Sequence, residues 1–137
     1  MIIVGVDESA TARGAALEAA ELAHRYQRPL HLVRSLTQTS TRTVRGGAPE
    51  SWHVDAVAMA EDHLRGLVSE LGASVEVTFA VLADDPASAL VNEAARLDAS
   101  FIVVGNKRVQ GAARVLGSVA GDVAKHAPCN VLIVHTH

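Results

Sequence analysis

Aromatic side chains are scarce: two Phe, one Trp and one Tyr, 3 % of 137 residues. With so few rings, a core must come from Val, Leu, Ile and Ala, which a hydrophobic content of 49 % supplies. That balance favours Ala-lined helices packed closely on a Val/Ile-rich sheet. Cys129 is the only cysteine, so no intrachain disulfide forms and a secreted disulfide scaffold is excluded. No apolar run approaches the roughly 20 residues that cross a bilayer. The opening MIIVGVD also lacks the basic region, long apolar stretch and cleavage site of a secretory leader. A cytoplasmic protein with no membrane partner is expected. Excess charge is missing too: 12 Lys and Arg stand against 15 Asp and Glu, a net −3. This argues against nucleic acid as a partner, which calls for a basic face, and leaves room for one local basic pocket. The length fits one domain, residues 1–137, able to fold without a metal.

What is present alternates between two periods. MIIVGVD, LHLVRSL, SFIVVG and NVLIVHT are short, nearly continuous apolar runs, the pattern of parallel strands covered on both faces. SVEVTFAVL alternates, as a strand at a sheet edge would. Between the strands the apolar residues recur at helical spacing. Ala12, Ala15, Ala16, Ala19, Leu22, Ala23 and Tyr26 form one face behind a Ser9 cap. Ala56, Val57, Ala60, Leu64, Leu67, Val68 and Leu71 form a second within residues 51–71, stopped by Gly72. Asp85 caps a third helix with Pro86 in its first turn, facing Ala87, Leu90, Val91, Ala94 and Leu97 to the core. A short helix over residues 118–126 completes a β-α-β-α-β-α-β-loop-α-β order, which implies a parallel sheet. Residues 37–50, TQTSTRTVRGGAPE, are hydroxyl-rich with Gly-Gly and Pro, a loop long enough to close over a ligand or to stay disordered.

In an open α/β sheet, ligands lie beyond the carboxyl ends of the strands where the strand order reverses. If the first strand is central beside the fourth, Gly5, Val6 and Asp7 meet Val104 and Gly105 there. Glycines at those strand ends let a ligand approach the backbone. The loop that follows, within VVGNKRVQGAARVLGSVA (103–120), has three glycines, Lys107, Arg108 and Arg114, and no acid. It ends on Gly117, Ser118 and Val119, where a helix start offers free N–H groups and a dipole to a phosphate. The same residues also suit a turn glycine, an ordinary cap and a solvated basic surface. Neither a P-loop lysine nor the dinucleotide glycine fingerprint is present. Asp7 suits a ribose, an adenine or a magnesium ion, and equally a cap shared with Ser9.

IIVGVDESATARGAALEAAELA, ADDPASALVNEAARLDASFIVVGNK and GAARVLGSVAGDVAKHAPCNVLIV together resemble the universal stress protein family, over nearly the whole chain except residues 37–55. The resemblance implies a single doubly wound α/β domain, with a five-stranded parallel sheet of order 3-2-1-4-5 and helices on both faces. It also implies a non-enzymatic stress-response or signalling module that binds ATP, with Mg2+ as a possible companion. Many members use Gly, two residues, Gly, nine residues, then Gly and Ser or Thr. Here Gly105 opens that pattern and Gly117-Ser118 closes it, with eight intervening residues after Arg108. By the same match Val6, Asp7 and Ser35 lie against the nucleoside, Val104 and Gly105 flank it, and Ser118 and Val119 meet the phosphates.

Arg108 stands where the family has its second glycine, and Asp84 where it usually has the glycine of GDP. A positive φ at Arg108 costs on the order of 1 kcal/mol. A guanidinium beside a triphosphate returns roughly 1.5–3 kcal/mol. The two effects are similar in size, so a dimeric interaction protein that has lost ATP binding through Arg108 is the alternative. A slow ATPase ranks below both, since Asp7 is the only evident base. His24, His31, His53, His63 and His126 are scattered, and His135 and His137 lack a third ligand, so structural or exposed histidines are expected rather than a metal site. Cys129 reads as a half-buried, inert thiol. Under the family's strand order NVLIVHT is an apolar edge, which antiparallel pairing of residues 131–135 with a second copy would cover as a homodimer.

Overall fold

The structure, a computed structural model, describes residues 1–37, 49–107 and 116–136. Its strands are β1 (Ile2–Gly5), β2 (Leu30–Ser35), β3 (Val77–Leu82), β4 (Phe101–Lys107) and β5 (Asn130–Thr136). Its helices are α1 (Ala10–Tyr26), α2 (Pro49–Leu71), α3 (Pro86–Arg96) and α4 (Ser118–His126). All neighbouring strands run parallel, in the order β3-β2-β1-β4-β5. The expected order is therefore the observed one, with the alternating strand at one edge and the C-terminal strand at the other.

Strand alternation divides the core into two layers. Ile2, Val4, Leu30, Leu32 and Val103 face α1 and α2, where they meet Ala15, Ala16, Ala19, Ala23, Leu64 and Leu67. Ile3, Val33, Ile102 and Val104 face the other way, onto Ala87, Leu90 and Ala94 of α3 and Ala120 and Val123 of α4. The four α1 alanines are fully buried, so α1 lies close against the sheet. A larger side chain there would cost about 1–3 kcal/mol through overpacking.

The helix starts follow their sequence signals. Ser9 Oγ accepts the Ala12 N–H at 3.1 Å, and Asp85 Oδ2 accepts the Ser88 N–H at 3.2 Å, with Pro86 in the first turn where no donor is missed. α2 begins at Pro49, two residues before the expected Ser51. The rest of the expected 37–50 loop, residues 38–48, lies outside the described residues.

Two residues depart from the expected core. Tyr26 is 57 % exposed, because it ends α1 at the rim, where its ring tilts over Phe101 at 5.9 Å and its hydroxyl reaches water. Glu93 is buried on the core face of α3. It is tolerated there because its carboxylate is bonded on both oxygens, to His31 Nε2 at 2.9 Å and Arg96 Nε at 2.6 Å.

Candidate functional site

The chain leaves β1 for β2 and β3, then returns through α3, which packs on β2 and β1, to place β4 on the far side of β1. The strand order reverses between β1 and β4, and at their carboxyl ends lies a cleft of about 350 Å³. That volume is within the range of small-molecule sites. Seven expected residues line it: Gly5, Val6, Asp7, Ser35, Val104, Gly105 and Val119. Gly117 and Ser118 stand exposed at the start of α4, immediately before Val119. Arg108 lies outside the described residues, as do Gly111 and Arg114.

Asp7 is exposed, and its Oδ1 accepts the Ser9 N–H at 2.8 Å. This bond shapes the turn from β1 into α1, the capping role read from the sequence. The other carboxylate oxygen takes no bond from the described residues, so Asp7 keeps an acceptor aimed at solvent. Ser9, Thr11, Ser35 and Thr37 add hydroxyls to the same cleft. Arg34, half-buried at the end of β2, adds a guanidinium that forms no ion pair with any described residue. The sequence reading passed over Arg34 and Thr37. Their only signal was proximity to Ser35 at a strand end.

The two strand-end glycines have a packing role that sequence did not show. A Cβ on Gly5 would lie 2.9 Å from Leu90 Cδ1 of α3. One on Gly105 would lie 2.9 Å from both Thr11 Cγ2 and Thr11 O, and 3.3 Å from Ala15 Cβ. The missing side chains thus make room for helices on opposite faces, and both glycines still present backbone to the cleft.

At the start of α4, Gly117 is the N-cap in extended conformation and supplies no side chain. Its N–H donates to Asn106 Oδ1 at 2.9 Å. The Gly117 amide is therefore already engaged, and the donors turned outward are those of the first helical turn, beginning at Ser118. Asn106, buried to 9 % exposure at the end of β4, was not singled out from sequence. Its signal was a polar residue continuing an apolar strand.

Among the described residues, no three His, Cys, Asp or Glu side chains converge as a metal site requires. Among the described residues Asp7 is the only carboxylate on the cleft. A magnesium ion there would need phosphate oxygens and water for the rest of its shell, as it takes in nucleotide sites. Burial pushes the Cys129 thiol up, which leaves it protonated and unreactive. No described helix is long and apolar enough to cross a membrane.

The sequence profile of the universal stress protein family matches residues 1–135. The chain belongs to the universal stress protein family. No curated relative matches it, but solved universal stress proteins do. It is similar to a universal stress protein from Archaeoglobus fulgidus at 29 % identity and a TM-score of 0.75, covering 97 % of this chain and 96 % of that one. It is similar to UspA from Lactobacillus plantarum at 26 % identity and a TM-score of 0.77, with 97 % and 95 % covered. A universal stress protein from Archaeoglobus fulgidus solved in complex with dAMP matches at 27 % identity and a TM-score of 0.70, over 97 % and 95 % of the two chains.

Proposed function

We propose that this universal stress protein is a non-enzymatic adenine-nucleotide-binding module of the cytoplasm, acting in stress response or signalling. The observation that carries the reading is the cleft at the β1–β4 switch point, in a fold shared with a relative solved with dAMP. ATP lies with its nucleoside against Val6, Asp7 and Ser35, where the Asp7 carboxylate accepts from the ribose or adenine. Val104 and Gly105 flank it. The phosphates run to Ser118 and Val119 at the positive end of α4. Alternatively Asp7 is the carboxylate that would help hold a magnesium ion, which would offset phosphate charge.

The module works as a homodimer through residues 131–135. β5 occupies the sheet edge, where Leu132 is 37 % exposed. Pairing with the same strand of a second copy satisfies that edge symmetrically.

Two measurements test the nucleotide reading. Denatured, purified protein should release adenine nucleotide, identified by absorbance and mass. Calorimetric titration should give heat on adding ATP with magnesium, and 100-fold saturation should stabilise the fold by about 2.7 kcal/mol. Neither heat nor thermal shift at millimolar ATP would favour the interaction protein that has lost its nucleotide.

A further inference from the structure

Outside the cleft, β2, β3 and α3 bring three functional side chains into line. His31 and Thr78 face each other across the β2–β3 pair, with His31 Nδ1 2.7 Å from Thr78 Oγ1. His31 Nε2 lies 2.9 Å from Glu93 Oε2, and Glu93 Oε1 takes the Arg96 Nε–H at 2.6 Å. His31 is four residues before Ser35 on β2, about 13 Å at strand rise, so the set is separate from the cleft.

The proton positions follow from the partners. The hydrogen bond from Arg96 holds the Glu93 carboxyl below its ordinary range despite burial, so Glu93 is an ionised acceptor. An acceptor at Nε2 requires the hydrogen there, and in the neutral ring Nδ1 then keeps its lone pair. In that tautomer the Thr78 hydroxyl donates to Nδ1. This is the arrangement that activates a hydroxyl: nucleophile bonded to base, base oriented by a carboxylate. Exposure divides the set usefully. His31 and Glu93 are 6 % and 4 % exposed, whereas Thr78 is exposed on the edge strand β3. Only the hydroxyl is open to a reagent.

We propose that Thr78 is a nucleophilic hydroxyl and a site of covalent acylation, taking acyl groups from activated esters and thioesters. Thr78 Oγ1 attacks the carbonyl carbon while its proton passes to His31 Nδ1, and the imidazolium is stabilised by Glu93. The new C–O bond forms, the bond to the leaving oxygen or sulfur breaks, and the leaving group takes the proton from Nδ1. Thr78 remains as its ester and His31 returns to neutral. The reaction is stoichiometric and independent of nucleotide in the cleft.

The test uses p-nitrophenyl acetate with the intact protein, the site of acetylation being mapped by peptide mass. One acetyl group is expected on Thr78, absent in Thr78→Val and retained in Thr78→Ser. His31→Gln and Glu93→Gln should slow acetylation of Thr78 by about 100-fold, the usual scale of general-base help, with folding checked by circular dichroism. An unmodified Thr78 in the wild-type chain, or a rate unchanged in His31→Gln, would overturn the proposal. Mapping the acetyl group on the wild-type chain alone tests the site, so a variant that fails to fold does not remove the test.

Discussion

Asn106 Oδ1 accepts the backbone N–H of Gly117 at 2.9 Å, tying the start of α4 back to the end of β4. The two ends of the glycine loop are thus held together by protein, before any ligand is involved. Asn106→Ala leaves that amide without its partner, at a cost of about 1–3 kcal/mol. Calorimetry should show a Tm lower by several degrees and titration a severalfold weaker affinity for ATP. Asn106→Asp keeps the acceptor for the Gly117 N–H and should lose less Tm than Asn106→Ala. Its negative charge beside the phosphates should still weaken ATP.

Gly105 and Gly5 should differ when each is changed to Ala. The Gly105→Ala Cβ meets backbone, Thr11 O, which cannot swing aside, as well as Thr11 Cγ2. The Gly5→Ala Cβ meets the tip of Leu90, which can rotate. Overpacking at Gly105 should cost about 1–3 kcal/mol, read as a lower urea midpoint without nucleotide. Gly5→Ala should cost less than Gly105→Ala. Equal losses would mean that the fit of α1 against β4 is not the constraint.

Asp7 has two separable roles. Asp7→Asn retains an oxygen to accept the Ser9 N–H but lacks the charge, whereas Asp7→Ala loses both. Stability should be unchanged in Asn and slightly reduced in Ala. Affinity for magnesium-ATP should fall in both, by about 10- to 100-fold for a charged hydrogen bond of roughly 1.5–3 kcal/mol. Titration calorimetry beside thermal melts separates the two effects.

Glu93 gives the fold an acid-side dependence. The hydrogen bond from Arg96, with a further one from His31, lowers its carboxyl from the ordinary value of 4.5. Because the folded value lies below the unfolded one, the unfolded state binds the proton first. The contribution is complete above the ordinary carboxylate range and is lost as pH falls below 4.5 through the folded value. Urea midpoints across that window should decline more steeply for the wild type than for Glu93→Gln.

Leu132 reports on the edge of β5. Light scattering at micromolar concentration should give the mass of two chains for the wild type and of one chain for Leu132→Asp. A monomeric wild type would sink the homodimer.

Much of the architecture was legible in local patterns. Apolar runs, helical alanine spacing, and the caps Ser9 and Asp85 are chemistry between residues close in sequence, so they could be read without coordinates. The strand order rested on resemblance, since period and caps say nothing about which strand lies beside β1. For the site, Asp7 and Val104 were placed at the cleft because a strand end is visible in sequence, whereas Ser35 came from the family resemblance. Arg34 and Asn106 were missed because their importance depends on what faces them.

The sequence by itself determined the elements, their parallel class and the family to which the chain belongs, because period, turn chemistry and motif spacing are properties of the string. Tertiary structure alone decided that Gly105 makes room for Thr11, that Asn106 holds Gly117, and that His31 stands between Thr78 and Glu93. Such contacts join residues distant in the chain, Thr11 with Gly105 and His31 with Glu93 among them. Side-chain distance and burial, set by how helices settle on the sheet, govern them, and neither is written in local sequence.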